Sequence, residues 1–212
     1  MKSRLIAVLA VLYSTASYAA HVDMNDPKRA LGREDDIRVD AQLFEDSIAS
    51  NGPIHVIYQI QNLTQNFIAV ADKVCESSYD PDSRTIVVTI GAEVPAGAAM
   101  PHLVTIAPGE KKVLKAGTVA RVLTPGMRTP FASVPRFIQI KVNVLRDAAP
   151  FQTLIAQQTR EPQAPVPLAN NLFDRWLDVN DAIDLNAIPV EWTGHAKNAV
   201  ASADQQGPGG GY

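Results

Sequence analysis

The apolar positions of this chain recur with a period of two. From Ile37 onward, Ile37, Val39, Ala41 and Leu43 alternate with Arg38, Asp40 and Gln42. Successive side chains of an extended backbone point to opposite faces, so this segment predicts a half-buried β-strand. "PIHVIYQIQNLT" repeats the pattern: Ile54, Val56, Tyr58 and Ile60 alternate with His55, Gln59 and Gln61, and only Ile57 interrupts the polar face. Asn51-Gly52-Pro53 supplies the connection between the two. Residues 67–74 and 85–90 are short β-branched runs on either side of the turn-forming Tyr79-Asp80-Pro81-Asp82-Ser83. "HLVTIAPGEKKVL" reads as two strands meeting at Pro108-Gly109, where proline presets one turn position and glycine accepts the positive φ of a type II turn. The plainest strand is "PRFIQIKVNVLRD", with Ile138, Ile140, Val142 and Val144 inward and Gln139, Lys141 and Asn143 outward.

About seven short strands, turn signals in every gap and no amphipathic helix among them predict an all-β fold, an antiparallel sandwich over residues 36–158. Parallel pairs are not expected, because they need long crossovers, usually helical. The flanks read differently. Residues 20–35 show neither period and carry Pro27 and Gly32, which predicts a flexible arm. Residues 159–167 are a proline-rich linker. In the extension, residues 168–195, Leu172, Phe173, Trp176 and Leu177 sit at helical spacing, and Asn170 or Asn171 can cap the first turn. "AIDLNAIPVEW" then returns to extended character, and residues 196–212 form a glycine-rich disordered tail. Trp176 and Trp192 are expected to anchor the extension onto the sandwich.

The first residues add an address. Lys2 and Arg4, an apolar run from Leu5 to Tyr13 and small residues to Ala20 match a secretory signal peptide, residues 1–19. Ser17 and Ala19 fit the small pockets of a signal peptidase, which makes Ala20 the expected mature start. The apolar run is too short to cross a bilayer, which takes roughly 20 apolar residues, so no membrane span is expected. An exported chain with Cys75 as its single cysteine must be held by its core rather than by internal disulfides. Cys75 is either a small buried strand residue or a partner for a second chain. The cysteine-poor composition and short leader point to the bacterial cell envelope, periplasmic or secreted.

The charge layout is uneven. Lys111, Lys112, Lys115, Arg121, Arg128, Arg136, Lys141 and Arg146 follow one another with no Asp or Glu between Lys111 and Arg146. Acidic flanks surround them, from Glu34, Asp35, Asp36, Asp40, Glu45 and Asp46 before to Asp174, Asp178, Asp181, Asp184 and Glu191 after. The first seven cations could form a basic face for an envelope protein or an anionic envelope component. Alternatively the acidic flanks fold back over them, a reading favoured by the alternation of strand side chains between two faces. A nucleic-acid partner is not expected, since no aromatic residues interleave with the cations as a stacking platform requires.

"YQIQNLTQNFIAVAD" and "LVTIAPGEKKVL" together resemble the immunoglobulin-like modules of many bacterial exported proteins, and more faintly the first domain of periplasmic pilus chaperones. The resemblance covers about residues 36–146. It implies an immunoglobulin-like sandwich that acts as a binding or assembly module, without naming a partner. The chaperones' second sandwich and their subunit-anchoring basic pair have no counterpart here.

Catalytic and metal signatures are sparse. No G-x-S-x-G, S-x-x-K or H-E-x-x-H occurs, and no enzyme activity or cofactor is predicted. His21, His55, His102 and His195 share no metal-ligand spacing. Cleavage after Ala20 would nevertheless place a free amine and an imidazole together at His21, a pair suited to copper, with His55 or His102 completing the site. Copper binding is thus one alternative to a noncatalytic binding or scaffolding role. A strand-exchanging assembly partner is another. "DVNDAIDLNAIP" is not a calcium loop, because Ile183 replaces its glycine and Pro189 its bidentate glutamate.

Overall fold

The structure, a computed structural model, describes residues 22–23, 25–95, 99–122 and 134–195. They form strands β1 (Arg29–Glu34), β2 (Ile37–Leu43), β3 (Ser47–Ser50), β4 (Pro53–Asn62), β5 (Ile68–Val70), β6 (Cys75–Asp80) and β7 (Thr85–Ile90). β8 (Val104–Ile106), β9 (Lys111–Val119) and β10 (Phe137–Leu145) follow, then helices α1 (Gln152–Arg160) and α2 (Asn170–Val179). The chain ends in β11 (Asn180–Asp184), β12 (Ile188–Pro189) and β13 (Glu191–His195). The fold is mostly β, with chiefly antiparallel pairing and two short helices. Among the described residues, no helix is long and apolar enough to cross a membrane.

One sheet runs β1-β2-β4-β9, antiparallel throughout. The other runs β6-β7-β10-β5-β8, with β11 and β12 also paired to β10. The inward sets predicted from alternation, Ile37 to Leu43, Ile54 to Ile60 and Ile138 to Val144, meet in one core shared by both sheets. A second core gathers Leu103, Phe151, Leu168 and Val179 around Trp176, which packs edge-on against Phe151 at 5.6 Å. The Trp176 Nε1–H donates to the Glu93 carbonyl at 3.2 Å, so its one polar atom is satisfied within this packing.

Four expectations are corrected. Residues 29–34, assigned to a flexible arm, form β1 instead. Asp35 and Asp36, both at positive φ, make the tight hairpin turn that lays β1 along β2. β7 and β10 pair in parallel, with β8 and β9 inside their connection, so the second sheet is mixed rather than purely antiparallel. The crossover passes through the opposite sheet, which removes the need for a crossover helix. α1 occupies residues assigned to the sandwich, and its Gln158 side chain turns inward to bond Met100 and Pro101 carbonyls and the Leu103 N–H. α2 forms where predicted, but Ala169 takes the cap position with no side-chain bond, in place of Asn170 or Asn171.

The extension also does more than dock. β11 enters the second sheet beside β10, and the chain after it bonds to β1 of the first. Leu31 N–H donates to Asn186 Oδ1 at 2.7 Å, and Asn186 N–H returns to the Leu31 carbonyl at 3.2 Å. A Cβ on Gly32 would stand 2.6 Å from the Asp184 carbonyl oxygen, so only glycine permits this approach. One side of the two-sheet arrangement is thereby sealed.

Candidate functional site

The predicted basic stretch does not make one surface. Lys111, Lys112 and Lys115 lie on β9 of the first sheet, whereas Lys141 lies on β10 of the second. Arg121 and Arg136 are exposed in the connecting segments, their backbone N–H groups bonded to Ser77 Oγ and the Arg84 carbonyl. Lys112 reaches the Thr105 carbonyl at 3.1 Å, and Lys141 lies 3.5 Å from Glu93. Arg146 is ringed by Glu34, Asp35 and Asp181 from β1, the hairpin turn and β11. For Arg146, then, the acidic flanks do fold back. Arg128 and His21 lie outside the described residues.

A different basic surface forms on the outer face of β1-β2-β4-β9. Leu114 and Ala116 pack against the core, so Lys111, Val113 and Lys115 point outward, as do His55, Ile57, Gln59 and Gln61 on β4. Register then builds rows across the four strands. Arg33, Arg38, Gln61 and Lys111 form one row, and Leu31, Asp40, Gln59 and Val113 the next. Arg29, Gln42, Ile57 and Lys115 form the third. Five cations thus share the face with the central carboxylate of Asp40; Asp26 also reaches the face, accepting from Gln42 Nε2–H at 2.6 Å, and Arg33 takes Asp36 at 2.7 Å from the hairpin turn.

That central carboxylate is Asp40, nearly inaccessible on an outward face. Its burial would raise the carboxyl pKa, but bonds from Arg38 and Arg29 outweigh burial and hold it below the ordinary carboxylate value. Arg38 grips it with Nε at 2.9 Å and a second nitrogen at 3.1 Å, and Arg29 closes from the other side. One negative charge therefore fixes two guanidinium groups in place. Lys111 and Lys115 have no ion-pair partner among the described residues. Glu110, next to Lys111, is turned away: its carboxylate accepts the Ala107 N–H at 2.7 Å. The geometry can hold carboxylate, sulfate or phosphate groups against Lys111, Lys115, Arg33 and Arg38, with Gln59 and Gln61 offering amides to hydroxyls between them.

Sequence reasoning found Lys111 and Lys115 but missed Arg29, Arg33 and Arg38. Their outward positions in β1 and β2 were a usable signal; their proximity to Lys111 needed the strand order. The histidines serve elsewhere. His55, on β4, bonds Glu45 through Nδ1 at 2.6 Å, and His102, ahead of β8, bonds Asp72 through Nδ1 at 2.7 Å, so the two hold different carboxylates. No group of three metal-ligating side chains occurs among the described residues. Cys75 is a free, half-buried thiol, and burial, aided by Glu76, pushes its pKa up to about 11. A groove of about 640 Å³ lies between Val74, Glu76, Thr89, Glu93, Met100 and Pro101, with two carboxylates and no cation in its lining. No family model, curated protein or solved structure matches the chain.

Proposed function

We propose that this is a noncatalytic binding or scaffolding protein of the bacterial cell envelope, periplasmic or secreted after loss of residues 1–19, and that it binds an anionic envelope component. We also read the fold as immunoglobulin-like, a reading supported by the passage of the chain from β7 across to β9 and back to β10. One observation carries the function. The outer face of the four-stranded sheet sets Arg29, Arg33, Arg38, Lys111 and Lys115 among glutamines, with the carboxylate of Asp40 between Arg29 and Arg38 and that of Asp26 on Gln42. A flat strand face spaces its side chains at about 4.8 Å between strands and about 7 Å along them, which matches a ligand with repeated charges better than one small ion.

The test is retention of the mature protein on immobilised polygalacturonate against a neutral dextran. Retention on the anionic matrix alone, lost with added salt and in a Lys111→Glu/Lys115→Glu variant that keeps its circular dichroism, is the expected result. Equal retention on both matrices, or by the variant, overturns the reading.

A further inference from the structure

The two sides of the molecule are finished differently, and the unfinished side has a defined chemistry. On β9, Ala120 N–H bonds the Gly52 carbonyl and Asn62 N–H bonds the Glu110 carbonyl, which fixes the even-numbered residues between them as those bonded to β4. The backbone N–H and C=O groups of Val113, Lys115 and Gly117 consequently point away from the sheet, and none has a partner among the described residues. The Val119 carbonyl and the Arg121 N–H, with the same orientation, are taken by Ser77 Oγ, because β6 lies alongside that end of β9. Beneath this edge the core is incompletely covered. Cys75, Tyr79, Val104, Leu114 and Ala116 pack on it yet stay only partly buried.

We infer that the Lys111–Gly117 stretch of the β9 edge receives an extended acidic segment of a partner protein as a fifth strand of the four-stranded sheet. This rests on the anionic-partner reading and names the partner's class. Backbone pairing supplies the affinity of such additions, and alternating side chains supply the specificity. Here the outward positions of the incoming strand would lie beside Lys111 and Lys115 and call for Asp or Glu, while its inward positions would extend the cover over Leu114 and Ala116 and call for apolar residues. Lysines on an open edge also guard against self-pairing. Antiparallel pairing of two β9 edges centred on Lys115 would set that lysine against itself, so a second copy is disfavoured. Nor does the chain supply its own acidic strand: residues 1–21 and 123–133 contain no Asp or Glu, and 196–212 contain Asp204 alone.

The experiment uses the mature protein and a short capped peptide that alternates glutamate with valine. Its twin is N-methylated at alternate residues, which keeps every charge but removes the ladder N–H groups. The expected result is binding of the first peptide, at least about tenfold weaker binding of the twin, and slowed amide exchange at Val113, Lys115 and Gly117. Lys115→Glu should weaken both peptides. Equal binding of the twin without amide protection overturns strand addition and leaves the basic-face reading standing. The same holds if neither peptide binds while polygalacturonate retention persists. Protection of the same amides at high protein concentration without peptide assigns the edge to a second copy and likewise overturns the inference.

Discussion

Arg146 and Lys115 come from the same acid-free stretch and end on opposite sides of the molecule. Arg146 closes a seam: β1, the hairpin turn and β11 each bring it a carboxylate, and the chain after β11 bonds the edge of β1. Lys115 stands on the other seam, where the backbone beside it has no partner among the described residues and the core below is half-covered. Charge in the sequence does not distinguish the two residues. What separates them is whether another part of the chain brings carboxylates, and the hairpin turn and β11 bring them to Arg146.

The largest effect should come from cutting the core at each seam. Ile183, on β11, is 2% exposed, and Ile183→Ala should lower stability by about 2–5 kcal/mol. Leu114→Ala, at the half-buried open seam, should cost less than half as much. Urea midpoints measure both, and equal losses would mean that the seams are equally sealed.

A smaller contrast comes from the glycines. Gly32→Val forces a side chain onto the Asp184 backbone and should cost about 1–3 kcal/mol. Gly117→Ala meets the His55 ring at 3.3 Å and the Ile54 carbonyl oxygen at 3.7 Å, and should stay within about 1 kcal/mol of the parent, measured in the same titrations.

The smallest effect is confined to acid and sharpens the basic face itself. Because Arg38 and Arg29 hold the Asp40 pKa below 3.8, Asp40 adds stability that is fully present above that value and lost as pH falls through the folded pKa. Arg38→Gln should shrink the difference in stability between neutral pH and pH near 3. An unchanged acid limb in that variant would show that Arg38 does not hold the carboxylate.

Alternation marked β2, β4 and β10 in the sequence because each buries one full face, and burial of a face is a local property of the strand. Helical spacing marked α2 for the same reason. β1 escaped notice because only Ala30 of it turns a side chain into the core and its order comes from β2. α1 escaped because its single buried residue is the polar Gln158. The parallel pairing of β7 with β10, the seal made by β11 and the assembly of Arg38 with Lys111 all depend on which strand lies beside which. Period two is the same whatever the neighbour. The sequence by itself determined which residues point inward, the mostly β character and the cations available. Tertiary structure decided which cations are neutralised and which face and edge remain open, because strand order follows from long-range packing that no single segment encodes.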